Sequence, residues 1–407
     1  MVPSGWSYKS FEKILKLDRG SSPRPIVDFV TDKADGVNWI KIGDAIDGKN
    51  TISITKEKIT KEGAKKSRKV FSGEIILSNS MSYGKPYILE IDGCIHDGWF
   101  VIRNYEKNLE KEFLIQLLAS EFVQMQYKRL AAGGVVANIS SELVYAVNVK
   151  VPPLPEQRKI AAILSTWDKA ICTTEQLLAN SQQQKKALMQ QLLTGKKRLL
   201  DEKGERFRGE WSKTKVGDLI IQHSEKSDRN GQYPVLTSSR QGMMFQKDYY
   251  NGRDVASEDT TGYNVVPFGY FTYRHMSDDL IFSFNINELC EKGIVSTLYP
   301  VFKAKEDKVN PYILRLMLND GHEFKKFSLE QKQGGSRTYM YLSKLKELRL
   351  NIPCIDEQQK IAAVLTAANQ EIEALQNKLE ALKQEKKALM QQLLTGKRRV
   401  KVDEVAA

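Results

Sequence analysis

The side chains that could carry out catalysis are few and scattered. His96, His223, His275 and His322 stand far apart, and Cys94, Cys172, Cys290 and Cys354 form no CxxC pair. Free thiols in a reducing compartment are therefore expected, and a metal knuckle is not. No GxGxxG follows a strand, and Gly195-Lys196-Lys197 lacks the upstream glycine of a phosphate loop. There is no HExxH, nor the NPPY or DPPY tetrapeptide of an amino-directed DNA methyltransferase. Glu306-Asp307-Lys308 is unexceptional in a chain with 28% charged residues. The sequence points to a binding subunit rather than a catalyst.

The chemistry that remains is recognition. Net charge is +12 and the sequence pI is near 9.2, which favours polyanions, of which nucleic acid is the commonest. Residues 181–215 alone hold ten Lys/Arg against four Asp/Glu. Two polar, glycine-bearing stretches have the side chains that read base edges. In the first half, Ser78, Asn79, Ser80, Tyr83 and Lys85 lie beside Gly84, where a plain β-turn is the other reading. Lys128 and Arg129, just before Gly133-Gly134, are phosphate candidates, with Asn138 beyond them. In the second half the candidates are Ser238, Ser239, Arg240 and Gln241, then Arg274 beside His275, then Lys332, Arg337, Thr338 and Tyr339 around Gly334-Gly335. An arginine on a strand edge can equally be just solvated. Lys196, Lys197 and Arg198, with Lys397, Arg398 and Arg399, suit either a helix C-terminal dipole or a contact to DNA or an acidic partner.

The elements that must position these residues are set by a duplication. KKALMQQLLTGK occurs at residues 185–196 and again at 386–397, an offset of 201 in 407 residues. EQRKIAAIL at 156–164 matches EQQKIAAVL at 357–365. Between motif pairs of this kind runs a helix of about 40 residues, roughly 60 Å long. The first helix has the seam Ile160, Leu164, Trp167, Ile171, Leu178, Leu188 and Leu192, with Thr174, Ser181 and Lys185 filling the gaps. The second has Ile361, Leu365, Ala368, Ile372, Leu375, Leu379, Leu382, Leu389 and Leu393, interrupted by Lys386. These are heptad seams, so the two helices should pair as a coiled coil. Pro155 is placed for the start of the first, Asp356 for an N-cap of the second, and Gly195 for a C-terminal stop.

The segments outside the helices read as mixed α and β and barely repeat. Strand-like runs are expected at residues 37–44, 70–79, 87–91, 98–102 and 143–151, with a helix over 108–130. In the second half, strands are expected at 265–273, 280–285 and 294–302, and a helix opens at 310–317. The expected organisation is α+β. A first head (1–152), a first helix (153–199), a second head (200–352) and a second helix with its tail (353–407) form a pseudo-twofold tandem repeat. No apolar run approaches the roughly 18 residues that span a bilayer, so a soluble cytoplasmic protein is expected. Two unlike heads on a common spacer suit an asymmetric, two-part site on duplex DNA. A stand-alone two-headed DNA-binding regulator and a protein-only coiled-coil scaffold are the alternatives.

VPPLPEQRKIAAIL leading to LMQQLLTGKKR, and IPCIDEQQKIAAVL leading to LMQQLLTGKRR, resemble the specificity subunit of type I restriction–modification enzymes. WIKIGDA at 39–45 also looks like a strand of that family's first head. The resemblance covers the whole chain. It implies two target-recognition domains reading the halves of a split DNA site, and two helices pairing antiparallel and holding the heads apart. It also implies two modification subunits and two restriction subunits docked on the scaffold. S-adenosylmethionine, ATP and Mg would then bind those partners and none of them this chain directly. The repeated Gln190-Gln191 and Gln391-Gln392 faces are the expected docking surface.

Overall fold

The computed structural model describes residues 2–402 except 47, 49, 81–83, 132–137, 253–255 and 333–336. Two helices, Leu154–Leu193 and Ile355–Leu393, run unbroken through the length that the seams mark out. Both end at a glycine in the left-handed region, Gly195 (φ 68°) and Gly396 (φ 71°), where a side chain would be strained. The second helix begins one residue earlier than expected, so Asp356 lies in its first turn and does not cap it.

The chain packs into two compact units, and these are not the four consecutive segments of the sequence. One consists of residues 1–176 and 376–407, the other of residues 177–375. Each unit therefore contains one head, part of the helix that follows it in the chain, and part of the other long helix. Within each unit the helix segments run antiparallel. In the first, Lys386 pairs with Asp168 at 2.5 Å and Lys383 with Glu175 at 2.7 Å. In the second, Ser181 donates to Glu371 at 3.3 Å, while Arg198 reaches back to Glu357. The expected seam positions are all buried or half-buried, from Ile160 and Leu164 to Leu389 and Leu393. Three polar seam residues have partners: Lys386 has Asp168, Ser181 has Glu371, and Thr174 donates to the Ala170 carbonyl at 2.8 Å. Among the described residues, no helix is long and apolar enough to cross a membrane.

The repeated EQ at each helix start has a specific job. The Gln157 amide donates to the carbonyls of Asn108 (2.9 Å) and Pro152 (2.8 Å), and its oxygen accepts the Glu110 N–H (2.8 Å). Gln358 repeats this with Lys308 (3.2 Å), Pro353 (2.9 Å) and Asn310 (2.8 Å). The preceding glutamate is buried in both copies. Glu156 accepts the Trp6 indole N–H at 2.9 Å and a bidentate pair from Arg399 at 2.6 and 2.8 Å. Glu357 accepts Trp211 at 3.3 Å and Arg198 at 2.5 and 2.7 Å. The arginine of each LTGK(K/R)R thus closes on the glutamate of the other helix's start, and its guanidinium lies over the tryptophan ring. Arg198 and Arg399, read above as suiting a helix dipole or a contact to DNA or an acidic partner, pair with Glu357 and Glu156 within their units.

Each head opens and closes with one antiparallel strand pair, Ser7–Ser10 with Asn148–Val151 and Ser212–Lys215 with Arg349–Ile352. Among the described residues the first head holds two five-stranded sheets. In the strands Ile75–Ser78 and Trp99–Arg103 every residue but the last is apolar, because their sheet is covered on both faces. Ile76, Trp99 and Val101 face the second sheet, while Ile75, Leu77, Phe100 and Ile102 face the helices. Residues 37–44 are a buried strand, Val37–Ile40, that turns through a short helix whose Asp44 carboxylate accepts the Lys41 and Lys56 N–H groups. The helix expected over 108–130 is two, Lys111–Ala119 and Glu121–Ala131, broken where the Ser120 side chain bonds the backbone. Residues 143–151 are not one strand: the helix Ser141–Tyr145 precedes Asn148–Val151. The second head is built around a four-stranded sheet with the stacked pair Phe271 and Phe302 at its centre. The run 280–285 is also not a strand; Leu280 turns with φ 67°, and pairing resumes only at Asn285–Ile286.

Removing either buried glutamate strands a guanidinium. Glu357→Ala leaves Arg198, whose side chain is 19% exposed, without its carboxylate, and is expected to cost about 3–5 kcal/mol. Glu156→Ala should cost less, since Arg399 is 43% exposed and can turn to water. Urea unfolding of the two variants tests this order; equal midpoints, or midpoints like the parent's, would contradict it.

Candidate nucleic-acid interface

In the first head, part of the expected reading loop is structural. Ser78 is buried, and it exchanges bonds with Lys85 across the turn. Asn79, 3% exposed, donates its amide to the Asp97 carbonyl at 2.8 Å, while its backbone bonds Gly98 and Ile139. Both are buried and shape the loop. Ser80 bridges to Asn138, so those two candidates, 58 residues apart in the chain, are brought together at the surface. Gly84 (φ 77°) lies against the ring of Tyr127, and Gln124 donates to its carbonyl at 2.7 Å. Those contacts tie the loop to the helix whose last turn carries Lys128 and Arg129, both exposed. Tyr83, Gly133 and Gly134 lie outside the described residues.

The second head gathers its candidates more tightly. Leu236–Ser239 and Gly242–Phe245 form a hairpin whose turn is Arg240-Gln241. A cleft of about 550 Å³ beside it is lined by Arg240, Gln241, Arg274, Tyr250, Asp279 and Tyr299, among others. Ser238 is buried and serves the fold: it donates to the Thr272 carbonyl and accepts from Asn285. Ser239 holds the turn through the Gly242 carbonyl and the Gln241 N–H. Arg240 pairs with Asp279, and Arg337 pairs with Asp278. Arg274 and Lys332 are exposed. Thr338 is buried in a two-stranded ribbon with Ser277, whereas its neighbour Tyr339 is 43% exposed. Tyr339 stacks on Tyr341 (5.9 Å, 10°), and Tyr341 on His275 (5.0 Å, 26°). Gln333, Gly334 and Gly335 lie outside the described residues.

Tyr249, Tyr250, Asp278, Asp279, Tyr299 and Tyr341 escaped the sequence reading. The signal available was the YY and DD doublets and the period-2 spacing of Tyr339 and Tyr341, which puts both rings on one face. The Asp279 carboxyl is held below its usual range, first by the Arg240 hydrogen bond and then by Ser277. Burial pushes the Tyr299 phenol up, against the field of Arg274. Of the four helix glutamines, Gln391 donates to Glu121 at 2.6 Å, while Gln190, Gln191 and Gln392 are exposed. Among the described residues, no group of three His, Cys, Asp or Glu is placed to hold a metal. The arrangement can offer cations, amides and aromatic rings to a nucleic acid.

The model of the type I restriction modification DNA specificity domain matches this chain twice, at residues 3–180 and 208–384. The chain belongs to that family. Each match takes in one head and the first part of the helix that follows it. A similar curated protein is the specificity subunit of the type I restriction enzyme MjaVIII from Methanocaldococcus jannaschii, 23% identical over 98% of this chain and 94% of the relative. Two solved structures share the fold over 98% of this chain. One is the HsdS subunit from Thermoanaerobacter tengcongensis (TM-score 0.53, 17% identity, 98% of that chain). The other comes from a study of complex assembly and conformational transition of the type I R-M system (TM-score 0.60, 18% identity, all of that chain). The chain is a type I restriction–modification specificity subunit, and the expected α+β fold with two domain repeats and long antiparallel helices is the one observed.

Buried and exposed candidates should separate in mutagenesis. Asn79→Ala is expected to cost about 1 kcal/mol of stability through the lost bond to Asp97, with no change in the salt dependence of DNA binding. Lys128→Ala and Arg129→Ala should leave the unfolding midpoint alone and each lower the slope of log affinity against log salt by about one. Unchanged slopes for both would remove them from the phosphate contacts.

Proposed function

We propose that each head reads one half of an asymmetric bipartite DNA site, and that the paired helices set the unspecified gap between the halves. The observation that carries this reading is the contrast between what repeats and what does not. The two ends of each helix, EQ(R/Q)KIAA and KKALMQQLLTGK, recur with their Glu–Arg and Gln contacts, while the heads differ in sheet organisation and in every candidate reader. In the first head the readers are Ser80, Lys85, Asn138, Lys128 and Arg129. In the second they are Arg240, Gln241, Arg274, Lys332, Arg337 and Tyr339. Phosphate contacts would place the heads and base-edge contacts would specify the sequence.

The scaffold's repetition gives two equivalent surfaces, which suits two copies of a modification subunit. We infer that the assembled complex methylates adenine at N6 and, with two restriction subunits, cleaves DNA in an ATP-dependent manner. S-adenosylmethionine, ATP and Mg would reside on those partners, and this chain would contribute specificity without catalysis. The test is sequencing of N6-methyladenine in cells with and without this gene. Loss of methylation at one two-part motif supports the reading, and an unaltered set of methylated motifs overturns it.

A further inference from the structure

Two ion pairs lie side by side where the polar loops of the second head meet. The strand Met276–Ser277 runs directly into Asp278-Asp279, and its partner strand Thr338–Tyr339 is preceded by Arg337. The register Ser277 to Thr338 brings Arg337 against Asp278, and its Nε donates to Oδ1 at 2.9 Å. Arg240, at the hairpin turn, donates one terminal nitrogen to both Asp279 oxygens, at 2.7 and 2.6 Å. Asp279 is itself anchored, accepting the Ser277 hydroxyl at 3.0 Å and the Ile281 N–H at 3.2 Å.

Exposed pairs of this kind add little to stability. Their effect on recognition is larger. A guanidinium has five N–H donors in a rigid plane. A carboxylate at Nε occupies one edge of Arg337 and leaves both terminal nitrogens without a partner among the described residues. Two such donors fit O6 and N7 of guanine in the major groove, the commonest specific arginine contact. A fork already held at one edge has less freedom to lose on binding. The paired carboxylate also cancels the arginine's charge, which disfavours a phosphate contact and spares a contact to an uncharged base edge.

We propose that Asp278 is a positioning residue that orients Arg337 as a guanine reader, so that the half-site of the second head has a G·C pair facing that arginine. This rests on the specificity-subunit reading above. The test uses the full chain assembled with its modification subunits and maps N6-methyladenine on genomic DNA. Asp278→Ala should relax one G·C position in the half of the motif read by the second head by roughly tenfold or more, while the other half is read as before and reports intact folding. Arg337→Lys keeps the charge but loses the fork, and should relax the same position; it decides the matter if the Asp variant fails to assemble. The proposal is overturned if the Asp and Lys variants leave every position as strict as in the parent. It is equally overturned if methylation falls alike at all sequences, which marks phosphate contacts. If no methylated motif depends on this chain at all, the specificity reading falls with it. A chain-dependent motif that these variants leave unmoved removes this proposal alone.

Discussion

The buried glutamate at the start of each long helix is the constraint on which the rest depends. Glu156 and Glu357 are almost wholly withdrawn from water, and a buried carboxylate is tolerated only with a partner of opposite charge and filled hydrogen-bond positions. The partner is supplied by the far end of the other helix, as Arg399 or Arg198, and the remaining acceptor position by Trp6 or Trp211. An arginine some 160 to 240 residues away in the chain must therefore return to the same place. The requirement fixes the antiparallel sense of the helix segments within each unit. It also fixes why head, helix start and helix end are welded into one unit rather than strung out in chain order.

From that weld the division between fixed and variable parts follows. Gln157 and Gln358 bind the loops that lead into each head's helices, so the scaffold grips a head by backbone carbonyls and N–H groups. Backbone groups are the same whatever the side chains, so a head can change sequence without losing its attachment. The surfaces that carry Ser80 and Asn138 in one head, and Arg240 and Arg337 in the other, are free to differ. A specificity subunit with two different half-sites is what such an attachment permits.

The scaffold was legible in the sequence because helix physics is local. Seam positions recur every three to four residues, and every one of them, from Ile160 to Leu393, is at least half-buried. The polar seam position Lys386 reads as an interruption until Asp168 is seen beside it. The heads were less legible because their burial is decided by distant segments. Asn79 in a Ser/Gly-rich loop looks like a base reader, and only the return of Ile139 and Gly98 across it makes it structural. Leu143 and Val144 look like strand residues, and the Ser140 hydroxyl capping Leu143 N–H makes them helical. Arg240 and Arg337 could be named as candidates, but the aspartates that hold them come from a third segment that no spacing rule connects to either.

The central claim is that specificity resides in the unlike heads while the repeated scaffold is indifferent to them. The most direct measurement replaces the second head, from the strand Ser212–Lys215 to the strand Arg349–Ile352, with the matching segment of another family member, and maps N6-methyladenine in cells expressing the chimaera. The account predicts a motif in which one half is new and the other half is unchanged. A chimaera that assembles yet alters both halves, or neither, would contradict it.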